Sequence, residues 1–248
     1  MDLGPDFLLF VAIGLAAQLV DGALGMAYGL LSSSILLAMG YPPATVSAAV
    51  HTAEVGTTGV SGGAHALLGN VDRRLLVRLA VPGVVGGVIG AYALTQLPAE
   101  AIRPFIYAYL LVLAVLILIR AAGRRVPRER VRRVPVLGFF AGLLDASGGG
   151  GWGPVATSTL LAQGGTARTT VGSVNAAEFV VTLAISITFL LTIGLQHLEI
   201  VLGLLLGGVI AAPLAAVLVK RLPERAVLVA VGVLVLAISV YQIARSVL

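Results

Sequence analysis

Of 248 residues, 58% are hydrophobic and only 11% charged, and the mean hydropathy is +1.05. No soluble domain of this size needs so much apolar material, so the bilayer is the expected solvent. The absence of cysteine excludes disulfides, thiolate metal sites and cysteine nucleophiles. A pI of 10.1 would suggest nucleic acid in a soluble protein, but the placement of the basic residues points elsewhere.

The chain opens with Asp2 and Asp6 and no Lys or Arg, which does not read as a cleavable signal peptide. Apolar segments follow at 7–20, 26–39, 44–68, 75–95 and 101–121, and again at 136–144, 152–162, 170–194, 199–219 and 225–245. The last three of each set have the roughly 20 residues needed to span about 30 Å of hydrocarbon. The first two of each set are shorter, and Gly, Ser and Asp interrupt them at 21–25 and 145–151. Such a pair reads as a hairpin that dips into the membrane and returns, with two short tilted crossings as the alternative. Irregular backbone survives at that depth only where protein or a watery cavity surrounds it. Pro42, Pro43, Pro98 and Pro223 mark turns between spans.

The segments are two copies of one unit. Residues 14–58 align with 138–182 at an offset of 124 without a gap, and 16 of the 45 positions are identical. Among these are Asp21/Asp145, Gly25/Gly149, Gly29/Gly153, Glu54/Glu178 and Thr58/Thr182, while Tyr28 faces Trp152 and His51 faces Asn175. The offset then becomes 125 and continues through Gly69/Gly194 and Arg120/Arg245. The expected fold is an all-α integral membrane protein of two inverted-topology repeats. Each is a broken or re-entrant helix pair plus three transmembrane helices, eight to ten membrane helices in all. The repeats cover 1–122 and 135–248, joined by an Arg-rich linker at 123–134 into one transport domain.

Charge tests the inversion independently. Alternating topology puts 14 of the 16 basic residues on one side (Arg73, Arg74, Arg78, Arg120, Arg124, Arg125, Arg128, Arg130, Arg132, Arg133, Arg168, Lys220, Arg221 and Arg225) and leaves Arg103 and Arg245 opposite. Basic flanks favour the cytoplasm, so the 120–133 stretch is expected there, with both termini external, in the plasma membrane. Anionic headgroups account for the Arg run without nucleic acid.

Four of the eleven acidic residues, Asp21, Asp145, Glu54 and Glu178, fall in apolar stretches as two repeat-related pairs with no Lys or Arg among them. An unpaired carboxylate in hydrocarbon costs several kcal/mol, so these groups are expected protonated, hydrogen-bonded or facing water. Asp21 and Asp145 read as structural polar groups at the helix breaks. His51, Glu54 and Thr58 share one helix face, as do Asn175, Glu178 and Thr182, and the two stripes are expected to meet near the midplane. Glu54, Glu178 and His51 are candidates for proton coupling, since they can carry a proton. With no third ligand evident, no metal or other cofactor is expected.

The glycine breaks are the second candidate element. Asp145-Ala-Ser-Gly-Gly-Gly-Gly-Trp-Gly-Pro154 matches Asp21-Gly-Ala-Leu-Gly-Met-Ala-Tyr-Gly29. Free N–H groups of a half-helix beginning after such a break suit an anion without any cationic side chain. The candidate substrate contacts are Gly25, Gly29, Ser147, Gly149, Gly150, Gly151, Trp152, Gly153, Ser173 and Asn175. A tight packing turn is the alternative reading of the breaks. Gly83, Gly86, Gly87 and Gly90, with Gly203, Gly207 and Gly208, read as small residues for close helix packing, or else as a homodimer seam.

Asp21 to Gly29, Asp145 to Pro154 and the stretch Gly172-Ser173-Val174-Asn175-Ala176 together resemble the sulfite exporter TauE/SafE family, over nearly the whole chain. The resemblance implies export of small sulfur oxyanions such as sulfite, or of organosulfonates such as sulfoacetate. The expectation is therefore a secondary transporter working by alternating access, not an enzyme, with an anion channel or an intramembrane His/Glu enzyme as rivals. No nucleotide-binding P-loop occurs, so direct ATP drive by this chain is not expected.

Overall fold

The computed structural model describes residues 6–24, 26–123, 133–163, 166–194, 197–218 and 224–247. Every regular element among them is helical. In the first half these are α1 (Phe7–Leu24), α2 (Tyr28–Ala38), α3 (Pro43–Leu67), α4 (Arg73–Gln96) and α5 (Ala99–Ala121). In the second half α6 (Val134–Gly148) precedes a π-helical turn (Gly153–Thr157) that runs into α7 (Ser158–Ala162), followed by α8 (Ala167–Thr192), α9 (Leu198–Leu218) and α10 (Glu224–Val247). Turn chemistry sets several of these starts. Pro42 and Pro98 are extended caps of α3 and α5, and the Asp72 carboxylate caps α4 by accepting from Arg74 N and Leu75 N.

Helices α4, α5, α8 and α10 are long and apolar enough to cross a membrane. Helix α3 has the length, at 25 residues, but its polar stripe lowers its hydropathy. The outer surface is apolar, with Val81, Phe105, Val112, Leu116, Leu191 and Val233 all exposed. Lipid is the solvent that suits such a surface.

Two sets of contacts define two faces. Phe10 at the start of α1 packs edge-to-face with Tyr41 in the α2–α3 turn (6.2 Å between centroids), and Tyr41 packs edge-to-face with His197 before α9 (5.6 Å). Arg103 at the start of α5 donates to Gly40 O on that same face. At the other face Arg168, at the start of α8, bonds Asn70 and Leu68 O in the α3–α4 turn. Gly138, near the start of α6, packs on Leu79 near the start of α4. Helix α1 therefore starts on the face to which α2 returns, and α6 starts on the face to which α7 returns. Both pairs are re-entrant hairpins. Helix α3 runs away from the Tyr41 face and its repeat partner α8 runs toward it, so the repeats are inverted.

The packing obeys the same pseudo-two-fold. Helix α1 lies on α9 of the other half, as α6 lies on α4, while α3 crosses α8 and α5 pairs with α10 across the axis. Glycine makes the swapped pairs close. A methyl on Gly90 would stand 2.6 Å from Leu143 O, and Gly203 and Gly207 lie against Phe10 and Val11. These glycines serve contacts within the chain.

The face holding the α3–α4 turn also carries Arg73, Arg74, Arg78, Arg133 and Arg168, with Arg120 at the far end of α5 from Arg103 and Arg225 at the start of α10. It is called the basic face below. Most of the linker, at 124–132, lies outside the described residues, as do Lys220, Arg221 and Pro223.

Candidate functional site

The site is built where the two hairpins meet. Asp21 and Asp145, expected as structural polar groups at the helix breaks, lie in the last turn of α1 and of α6. From there each carboxylate reaches across its own break to the next half-helix. Asp145 Oδ1 accepts from Gly151 N (2.7 Å) and Trp152 N (2.9 Å), while Asp21 Oδ1 accepts from Tyr28 N (3.3 Å). A carboxylate seven residues upstream thus caps a helix start that water cannot reach.

The second break is closed by the first half. Gly149 (φ 71°) and Gly150 (φ 155°) occupy backbone conformations that side chains rarely adopt, and their N–H groups bond Asp145 O. Ser33 Oγ of α2 donates to Gly149 O, and Ser47 Oγ of α3 donates to Ala146 O (2.6 Å). Every polar group of the turn named here has a protein partner, as hydrocarbon depth requires. Gly29 of the first hairpin presses on this turn. A Cβ there would lie 2.8 Å from Gly150 Cα, 2.9 Å from Gly149 O and 3.0 Å from Glu54 Oε1. The two tips converge on one another. Gly25 lies outside the described residues.

Around the tips stand the membrane-embedded ionisable groups. His51 is fully buried, with Nδ1 2.8 Å from Ser47 O and Nε2 3.2 Å from Asp145 Oδ2. Because the carbonyl only accepts, Nδ1 is the donor there. The His51–Asp145 contact then holds one proton, on the imidazole or on the carboxyl. Glu54 is buried against the Gly29 amide, close enough to His51, Asp145 and Asp21 for their charges to interact. Glu178 lies within electrostatic reach of Glu54, Asp145 and Asp21. All four carboxylates singled out in the sequence therefore lie within electrostatic reach of one another around the tips. Among the described residues no three His, Asp or Glu side chains are arranged to hold a metal ion.

The remaining candidates go to different places. The stripes of α3 and α8 cross antiparallel, His51 facing Phe189 at 6.5 Å and Gly59 facing Phe179. Asn175 Nδ2 donates to Ser61 Oγ (3.0 Å). Trp152 is fully buried against Gly83 and Val181 and donates Nε1–H to Val174 O (3.2 Å). Tyr28 does the same in the first half, packing on Gly208 and donating to Leu204 O (2.9 Å). Gly153 opens the π-helical turn at the tip. Ser147 turns to α4, bonding Leu143 O, and Ser173 turns to the α3–α4 turn, where it accepts from Asp72 N (2.8 Å).

Several neighbours were not foreseen. Ser33 and Ser47 supply hydroxyls to the second tip, and for Ser33 the alignment with Thr157 was a usable signal. Helix α5 contributes Tyr109, whose ring lies on Gly148 and Gly151. It also contributes Arg120, which reaches Ser158 Oγ (3.1 Å) and Met26 Sδ (3.4 Å), between the hairpins. Nothing in the local pattern of α5 marks either residue.

The family model described as "Sulfite exporter TauE/SafE" matches residues 10–242. A curated relative, the "Probable membrane transporter protein YtnM" of Bacillus subtilis (strain 168), is 42% identical over 243 residues, covering 94% of this chain and 81% of the relative. No solved structure matches. A helical chain with inverted hairpin repeats, matched along nearly its whole length, belongs to the sulfite exporter TauE/SafE family and is a multi-pass membrane transporter.

Proposed function

We propose that the chain is a proton-coupled secondary transporter exporting small sulfur oxyanions such as sulfite, or organosulfonates, across the plasma membrane by alternating access. The observation that carries this reading is the convergence of two hairpin tips and four carboxylates with His51 at the pseudo-two-fold. Intramembrane acids grouped at a repeat interface suit a proton relay. The anion is received by backbone at the two tips, Gly25 and Gly29 in the first and Gly149, Gly150, Gly151, Trp152 and Gly153 in the second, with Ser147, Ser173 and Asn175 as polar groups along its path. Asp145 holds the Gly151 and Trp152 amides in this conformation, so substrate takes them as Asp145 turns to His51. Glu54, Glu178 and His51 carry the coupled proton, and Asp21 and Asp145 cap the breaks while no anion is bound.

The two repeats, 1–122 and 135–248, act as one transport domain. The basic face is cytoplasmic and the termini are external, because Lys and Arg near spans are retained inside. Sulfite and sulfoacetate flux into proteoliposomes, with and without an imposed proton gradient, tests the reading. Flux is expected to rise with the gradient and to fall at least tenfold in Glu178→Gln and in Asn175→Ala. Gradient-independent conductance in planar bilayers would instead identify a channel.

A further inference from the structure

The two ends of the α3–α8 crossing are repeat-related but closed by different means. At the basic face the end of α3 is fastened to the start of α8. Arg168 donates from Nε to Asn70 Oδ1 and from Nη2 to Leu68 O (3.1 Å), and Asp72 N donates to Ser173 Oγ (2.8 Å). Asn70 is buried and seats directly on Gly172, where an added Cβ would lie 2.5 Å from Asn70 O and 2.9 Å from its Cβ. The bare α-carbon of Gly172 is what admits this contact.

At the opposite end the repeat-related positions carry none of these polar side chains. The positions aligned with Arg168, Gly172 and Ser173 are Ala44, Ala48 and Ala49, and Asn70 aligns with Leu195. No donor stands at those positions to repeat the fastening, and Ala48 carries the methyl that Gly172 lacks. There the structure has only a shallow cleft of about 10 Å³, room for about one water, lined by Ala48, Thr52, Ser186, Phe189, Leu190 and Val201 among others. Its inner wall is Phe189, whose ring stacks on His51 beside the hairpin tips.

We propose that Arg168, Asn70 and Gly172 form a latch closing the basic-face end of the transport path, and that the shallow cleft at Ala48–Thr52 marks the end that opens more readily. The inference rests on the alternating-access reading. Passage to the other state parts Asn70 from Gly172 and breaks the Arg168 bonds, while Phe189 and α3 close the cleft. Alanine at 44, 48 and 49 cannot repeat the Arg168 and Ser173 bonds, so the latch sets which side the resting transporter faces.

The chain contains no cysteine, so single reporters can be placed at Thr52→Cys, in the cleft, and at its repeat partner Ala176→Cys, beneath the latch. Labelling by a membrane-impermeant maleimide is read in right-side-out and inverted vesicles without substrate. Thr52→Cys is expected to react at least tenfold faster than Ala176→Cys in the otherwise native chain. Adding Arg168→Ala or Gly172→Ala, each of which installs the residue of the other repeat, is expected to raise labelling of Ala176→Cys from the basic side at least fivefold and to lower that of Thr52→Cys. Gly172→Ala removes no polar group of the native chain, so it decides the question if Arg168→Ala fails to fold. Unchanged rates at both reporters in the folded variants overturn the latch. The readout needs no transported anion, so absence of sulfite flux in the native chain would count against the proposed substrate and leave the latch judged by labelling alone.

Discussion

The two hairpin tips descend from one repeated unit, yet they are held with very different firmness. Asp145 binds two amides of its own break and touches His51, whereas Asp21 bonds Tyr28 N at 3.3 Å. The second turn uses glycine at its positive-φ positions, Gly149 and Gly150. The first has Ala27 at φ 125°, where the repeat partner is Gly151. A β-carbon at such a φ carries about 1–3 kcal/mol of strain. The second half-helix begins with a π-helical turn, and the first is regular from Tyr28 onward. Duplication supplied two equivalent breaks; among the described residues the second is braced by several bonds, whereas the first shows a strained Ala27 and the long bond from Tyr28 N to Asp21. The braced tip suits a fixed substrate platform and the strained one suits the part that moves.

The largest effect is expected where the tips touch. Gly29→Ala places a methyl 2.8 Å from Gly150 Cα, and backbone at such depth has little room to give. A loss of about 3 kcal/mol, at the upper end for overpacking, is expected in detergent unfolding, with transport abolished. If Gly29→Ala melts like the native protein, the convergence of the tips is wrong.

Next in size is the contrast between the two caps. Asp145→Ala removes two amide hydrogen bonds and strands His51, for about 3 kcal/mol, while Asp21→Ala removes the long bond from Tyr28 N, for about 1 kcal/mol. Equal losses in paired thermal melts would show that the braced and loose tips are not distinct. A smaller effect is expected for His51→Asn, which copies Asn175 of the other half. It gives up the contacts to Ser47 O and Asp145 and should cost about 1–2 kcal/mol and flatten the pH profile of transport. A profile unchanged by His51→Asn removes the imidazole from the coupling route.

The smallest effect carries the opposite sign. Ala27→Gly relieves the positive φ and is expected to stabilise by about 1 kcal/mol. It should also slow transport if the strain helps the first tip to open. Destabilisation by this substitution would mean that the alanine methyl contributes more in packing than the backbone loses.

These contrasts show how far the chain could be read in advance. The hairpins were legible because Asp and Gly interrupt apolar runs twice in register, and lipid permits few other uses of such residues. The inversion was legible from the one-sided basic residues. Less visible was that Asp21 and Asp145 stay helical and cap the next half-helix seven residues on, since local spacing does not reveal where a chain folds back. Ser33 is marked only by its alignment with Thr157 and Ser47 by nothing in its local pattern, although buried orphan carbonyls at a broken helix require such donors. Tyr109 and Arg120 come from a neighbouring helix whose approach only the tertiary packing defines. The laying of α1 on α9 and of α6 on α4 exchanges helices between repeats, and the glycines of α4 and α9 announced close packing without naming the partner.

The central claim is that the converged tips and their acids move one anion together with protons. The direct measurement is the internal pH of dye-loaded proteoliposomes when a sulfite gradient is imposed at zero membrane potential, after correction for passive sulfite leak in protein-free vesicles. The native chain is predicted to move protons with sulfite, and Glu54→Gln combined with Glu178→Gln is predicted to abolish that movement. Sulfite flux at the native rate with no accompanying pH change, in either protein, would contradict the account.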